Sequence, residues 1–352
     1  MRFVIFSDDF TGTNGVASMM AHYCDTANIN LTTMLNNKSL MSDFQCITVN
    51  TNTRNLDGRQ SSEIIKQAYS EIINRGSFFV KRIDSTLRGN IEPEALALKG
   101  DKKFIITDTI PEYSRYTKNG YTVTDSSNKI SIISLFRTLK GKAYTVEQIN
   151  ELDKSLDFFV IDSYDYGDLE NIAQAAIDNN FIPMDPGPLC SIYGKKIVNQ
   201  QKRSTAGKPK INSVVFVVGT TEEITINQVK YSALHGFTLL KLKNYSQAKL
   251  KSDNIIMFDF LKDRFDMDRK FVKFLSAYDA IVISGGDTAN LIFEMGEGEF
   301  IENMPGNYPL IGIGKIKGGI LNNKIMITKG GRIGTEDVLI RIKNQLLGGG
   351  SI

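Results

Sequence analysis

The residues best suited to chemistry sit directly after short apolar runs. Phe3 to Phe6 leads into SDDFTG at 7–12, and Phe78 to Val80, then Ile83, into DSTLRG at 84–89. Far downstream, Ala280 to Ile283 is followed by SGGDT at 284–288, and Ile325 to Thr328 by KGGRIG at 329–334. The first two loops carry acids and an arginine, the later ones glycines and hydroxyls. In open α/β sheets, ligands lie beyond the carboxyl ends of the strands, so the pattern predicts two ligands, one small and polar, the other phosphorylated.

Asp8 and Asp9 end the first apolar run. Paired carboxylates there can accept hydrogen bonds from a polyol, hold Mg²⁺ or take a proton from a hydroxyl, and Asp and Thr also suit a helix start. Within KRIDSTLRG at 81–89, Arg88 has the planar fork that grips a carboxylate, Lys81 adds a point charge, and Ser85 and Thr86 offer hydroxyls. Asp84 would orient Arg88 or bind a substrate hydroxyl; the alternative is a purely structural ion pair. Residues 108–120 read as a long polar loop in which Arg115 is either a site residue or a surface one. Asp162 is either a third carboxylate at the same sheet edge or the start of a turn.

The downstream loops predict anion binding by backbone. Gly219-Thr220-Thr221 follows Val214–Val218 and opens a helix, whose free N–H groups attract phosphate. Ser284, Gly285 and Gly286 repeat the design, with Asp287 as helix cap or magnesium-facing acid. Gly330, Gly331 and Gly334 precede a helix starting near Thr335. There is no G-x-x-x-x-G-K-[ST], and Gly312-Ile313-Gly314 meets its next glycine at 318, too late for G-x-G-x-x-G. P-loop enzymes and ordinary NAD-binding proteins are thereby disfavoured.

Elements to position these loops are legible in the periodicity. Val16, Met19, Met20 and Tyr23 share one helix face, as do Ile64, Ile65, Ala68, Ile72 and Ile73. Strands are expected at Phe78–Ile83, Phe104–Thr107 and Phe158–Ile161, and helices at 169–177, 222–234, 287–296 and 336–347. This alternation predicts an α/β protein of two domains, each with a mostly parallel sheet covered by helices, and an active site in the cleft between them. Residues 195–210 hold six basic residues and no acid and read as a solvated linker, dividing the chain into 1–205 and 206–352. The 352 residues suit two domains, and a net charge of +3 gives no reason to expect a nucleic acid or membrane partner. Three scattered cysteines, Cys24, Cys46 and Cys190, and an N-terminus reaching two aspartates after four apolar residues predict a cytoplasmic protein with no leader. Two histidines, His22 and His235, are too few for a His-built metal site or a Ser-His-Asp triad.

These segments resemble the four-carbon acid sugar kinase family, the ATP-dependent kinases of threonate, erythronate and 3-oxo-tetronate. SDDFTG with Asn14, Gly15 and Ala17 is similar to its opening motif, and KRIDSTLRGNIEPE to its most distinctive one. IPEYSRYTKNG, VVGTTEEITINQ, SGGDTA, PGNYP at 305–309 and KGGRIG resemble further motifs, with Ser114, Thr220, Glu222 and Gly330 as departures. The resemblance implies an N-terminal sugar-acid domain, in which Asp9, Lys81, Asp84 and Arg88 serve the substrate. It likewise implies a C-terminal ATP domain using Gly219, Thr220, Pro305, Gly306, Asn307, Tyr308, Gly331 and Gly334. The expected activity is transfer of the γ-phosphate of Mg·ATP to a hydroxyl of a small sugar acid, in a chain that could form a homodimer. The alternatives are a regulatory protein that binds these ligands without transfer, or a kinase for another polyol.

Overall fold

The computed structural model describes residues 2–37, 39–73, 78–124, 129–198, 209–250 and 253–348. Strands such as Phe3–Ser7, Val214–Val218 and Ala280–Ser284 are short apolar runs in which every residue is buried. That is the signature of parallel strands covered on both faces. On one side the sheet order is Thr26–Asn30, Cys46–Asn50, Phe3–Ser7, Phe78–Arg82, Ile182–Asp185, Phe104–Ile106, Phe158–Ile161 and Gly141–Tyr144, all parallel. On the other, Thr238–Lys241, Asn254–Met257, Val214–Val218, Ala280–Ser284 and Ile325–Lys329 are also parallel.

The two sets do not form separate sheets as expected. Ile311–Lys317 and Phe300–Asn303 continue the second set antiparallel, and Phe300–Asn303 pairs with Thr26–Asn30, Ile301 opposite Asn28. Among the described residues the result is one mixed, mostly parallel sheet of fifteen strands. The segment 108–120, read as a polar loop, ends in Tyr116–Lys118, the first strand of a small antiparallel sheet with Tyr121–Val123 and Ile130–Ser131. Its backbone is fixed by a sheet ladder, and Asp162 accepts from the Asn119 and Gly120 N–H groups at 2.7 and 3.1 Å. The segment read as a linker begins differently as well. Lys195 to Ile197 end the helix Pro188–Ile197, and Lys195 and Lys196 pair with Glu170 at 3.2 and 2.8 Å. Residues 199–208, and so the 205/206 boundary, lie outside the described residues.

The helix Phe10–Met20 follows the first acidic loop and packs on both sets of strands, Val16 and Met20 in the core of the first and Phe10 in that of the second. The Phe10 ring packs tilted against Phe293 at 5.1 Å, Asn14 Nδ2 donates to Thr328 Oγ1 at 2.9 Å, and Ser18 Oγ donates to the Ile313 carbonyl at 2.9 Å. Close approach needs glycine on the strand: a methyl group on Gly312 would lie 2.5 Å from the Asn14 backbone. Gly312 is therefore a helix-packing position, and Gly314 clears the neighbouring strand at Ile301 and Glu302, so the pair serves packing rather than a nucleotide motif.

Candidate active site

Asp9 stands between strand Phe3–Ser7 and helix Phe10–Met20. Its Oδ1 accepts from the Gly12 N–H at 3.1 Å, a helix cap, and its Oδ2 accepts from Thr11 Oγ1 at 2.7 Å. Two arginines that sequence reasoning did not single out converge on the same carboxyl. Arg54, beyond strand Cys46–Asn50, reaches Asp8 Oδ2 at 2.9 Å, Asp9 Oδ1 at 2.7 Å and Asp84 Oδ1 at 3.2 Å. Arg82, the last residue of Phe78–Arg82, donates to Asp9 Oδ1 at 2.9 Å and to the Pro186 carbonyl at 3.1 Å. Arg88 Nε reaches Asp84 Oδ2 at 2.8 Å, and Thr86 Oγ1 donates to the same oxygen. The available signal was that CITV at 46–49 ends in polar NTNTR, as FVIF ends in SDD.

This cluster fixes its own protonation. Burial favours the neutral acid at Asp84, but Arg54 and Arg82, with Arg88, outweigh it and hold that carboxyl well below the usual range. Asp9 is likewise held down against burial, by Arg54 and Arg82. At Asp8 burial wins over Arg54 and Lys81, and its carboxyl is raised. Arg54, whose burial is offset by the three acids, stays charged. At neutral pH, Asp9 and Asp84 are carboxylates able to accept hydrogen bonds from hydroxyl groups.

Three glycine loops form the facing wall. Gly219 to Glu222 precede helix Glu223–Leu234, Gly285 at φ +115° leads into helix Gly286–Met295, and Gly330 to Ile333 follow strand Ile325–Lys329. A methyl group on Gly219 would lie 2.1 Å from Thr288 Oγ1, so only glycine clears that hydroxyl. Behind the third loop, buried Lys329 donates to Thr225 Oγ1 at 2.9 Å and to the Gly330 and Ile333 carbonyls at 3.0 and 3.2 Å. Burial pushes its ammonium down to about 7.

Both walls line one cavity of about 340 Å³. Their separation is small: a methyl group on Gly286 would sit 3.0 Å from Asp9 Oδ2 and 3.3 Å from Thr11 Oγ1. Of the expected site residues, the cavity is lined by Asp9, Asp84, Ser85 and Arg88 on one wall. Gly219, Thr220, Gly285, Gly286, Asp287 and Gly331 line the other.

The remaining expected residues lie elsewhere. Lys81 is fully buried and engaged by Glu94 at 2.5 Å, so its charge is spent inside the protein. Arg115 is bound to Asp108, whose carboxyl burial pushes up to about 6 despite that arginine. Asp8 is buried beneath Arg54, Ser284 is buried at its strand end, and Gly334 accepts from Gln228 Nε2 through its carbonyl. Residues 305–308 pack near the far end of helix Phe10–Met20, where His22 Nε2 lies 2.9 Å from the Gly306 carbonyl. The main cavity is at the other end of that helix, which at 1.5 Å per residue is roughly 15 Å long. Gly306, Asn307 and Tyr308 instead line a small separate pocket with Ile342 and Leu346.

Residues 3–129 match the family model described as "Sugar-binding N-terminal domain". The chain is 24% identical over 264 residues, 64% of its length, to the D-erythronate kinase of Heliobacterium modesticaldum. The match covers 59% of that curated relative, so the chain spans about three-fifths of its length. In fold it is similar to the Haemophilus influenzae protein HI1011, at TM-score 0.67 and 18% identity over 98% of this chain and 100% of that one. It is also similar to a Salmonella typhimurium LT2 protein, at TM-score 0.72 and 14% identity over 98% and 99% of the two chains. The chain thus carries a segment matching a sugar-binding N-terminal domain and is distantly similar to D-erythronate kinase.

Proposed function

We propose that the protein transfers the γ-phosphate of ATP to a hydroxyl of a small, four-carbon sugar acid. The observation that carries this reading is the single cavity in which Asp9, on the arginine-rich wall, nearly touches the Gly286 helix start on the glycine-rich wall. Phosphoryl transfer demands little covalent help from a protein; it demands two ligands held in line and the developing charge neutralised. In this reading residues 1–205 form the sugar-acid side and 206–352 the nucleotide side.

The acid's carboxylate would be gripped by Arg88, which is half exposed and uses only its Nε on Asp84, with Arg54 behind it. Asp9 would accept the hydrogen bond of the reacting hydroxyl and aim its oxygen at the helix start. Its lowered pKa makes it a weak base, which suits a transition state with little bond formation to the nucleophile. The γ-phosphate would rest on the free N–H groups of helix Gly286–Met295, with the Thr288 hydroxyl, buried and without a partner, turned to the same cavity.

Among the described residues no three His, Cys, Asp or Glu side chains are grouped to hold a metal ion. The fit is therefore to a cation arriving on the phosphates, with Asp287 in the cavity wall as a protein oxygen facing it. Such a cation would neutralise phosphate charge. An ADP-release assay with Mg·ATP and a panel of four- to six-carbon sugar acids tests the reading. We expect release that depends on a four-carbon acid. ATP binding without release for any acid would favour a regulatory protein instead.

A further inference from the structure

On the glycine wall of the cavity, charge is distributed against a phosphate ligand. Among the described residues lining it from Gly219 onward, Glu222, Asp259 and Asp287 are acids, and Arg332 is the sole cation. Asp259 is engaged locally, by Lys262 at 3.1 Å and the Leu261 N–H at 3.1 Å. Glu222 stands at the start of helix Glu223–Leu234, where an acid would normally cap, yet its side chain makes no cap bond. Instead it crosses to the neighbouring loop, where Arg332 Nε donates to its Oε2 at 2.9 Å. The loops touch there: a methyl group on Gly331 would lie 2.8 Å from both Glu222 Cγ and Thr220 Oγ1. Both ends of the pair are partly exposed, at 50% for Arg332 and 31% for Glu222, so either can change partner without unfolding anything.

We propose that this pair is an exchangeable clamp: Arg332 leaves Glu222 to grip the phosphate chain of the nucleotide, and Glu222 sets how tightly that chain is held. The inference rests on the kinase reading and adds a residue pair to it. Arg332 has unused guanidinium donors matched to a phosphate oxygen pair. On exchange, Glu222 is left as an unpaired carboxylate beside an anion, so it opposes binding twice, by competing for Arg332 and by repelling the ligand. A simple structural tether between two loops behaves oppositely, since cutting it from either side loosens the site.

Calorimetric titration of the full chain separates these. ATP and pyrophosphate, each with Mg²⁺, are titrated into the wild type, Glu222→Gln, Arg332→Gln and the double variant, with thermal melting as a control for folding. Glu222→Gln is expected to tighten both ligands about fivefold, the upper end for an exposed ion pair. Arg332→Gln is expected to loosen them about tenfold, a modest loss for a phosphate-gripping arginine. In the double variant the gain from Glu222→Gln should fall well below fivefold, because the cation it frees is gone. Unchanged or weaker binding in Glu222→Gln overturns the clamp while leaving the kinase reading intact if sugar-acid turnover persists. Tightening for ATP alone would move the contact to the nucleoside and overturn the phosphate assignment. A wild type that binds neither ligand overturns the function and the clamp together.

Discussion

Gly12 is where two opposing effects can be separated most cleanly. It lies inside helix Phe10–Met20, where replacing glycine by alanine ordinarily stabilises by about 0.5–1 kcal/mol. Here a methyl group would lie 1.9 Å from Arg82 Nη1, 2.2 Å from its Cζ and 2.4 Å from Asp9 Oδ1, so the guanidinium cannot stay. The displaced pair is nearly buried, with side-chain exposures of 5% for Arg82 and 12% for Asp9. Separating such a pair while keeping both charges costs about 3–5 kcal/mol. Gly12→Ala should therefore destabilise by about 2–4 kcal/mol, since the lost pair outweighs the helix gain. Urea unfolding measures this, and calorimetry with erythronate should show loss of acid binding, because Asp9 loses its fixed partner. A Gly12→Ala protein that is more stable than wild type and binds the acid equally well would refute the packing of Arg82 against that helix.

Glu94 binds Lys81 and also accepts from Thr53 Oγ1 and Ser61 Oγ at 2.6 and 2.7 Å, so it braces the segments that carry Arg54 and Arg82. Glu94→Ala should cost about 3–5 kcal/mol in urea unfolding by stranding a buried ammonium, and adding Lys81→Met should recover part of it. Arg88→Ala should cut sugar-acid turnover about 100-fold while nucleotide affinity measured by titration stays close to wild type. Lys329 titrates at about 7 in the fold against an ordinary 10.5, so between those values the unfolded chain binds more protons. Stability relative to Lys329→Met should then rise as pH goes from about 7 toward 10, by at most about 1.4 kcal/mol per pH unit. A flat difference across that window would show that Lys329 is not desolvated.

Much of the scaffold is legible because buried parallel strands leave unbroken apolar runs. Phe158–Ile161 and Val214–Val218 are found at the expected residues, and the glycine-to-helix junctions at 219 and 285 follow Val214–Val218 and Ala280–Ser284. Less legible were the strands that fuse the two sets. Thr26–Asn30 reads TANIN, and Ile311–Lys317 begins IGIG because helix Phe10–Met20 presses on Gly312 and strand Phe300–Asn303 on Gly314, so neither shows a continuous apolar run. Site residues followed the same logic. Asp9, Asp84 and Arg88 were visible as polar clusters at strand ends, whereas Arg82 sits inside a strand and Arg54 four residues past one. Lys81 was misleading because strand alternation turns it away from Arg82 and toward Glu94, which only the fold brings near.

The central claim is that one cavity holds both reactants. A crystal structure with erythronate and a non-hydrolysable ATP analogue measures it directly. The expected result places the acid's carboxylate on Arg88 and Arg54, the γ-phosphate at the Gly286 helix start, and a substrate hydroxyl by Asp9 about 3–3.5 Å from the phosphorus. An acid bound away from those arginines, or a nucleotide seated outside the loops at 219–222, 285–288 and 330–333, would contradict it.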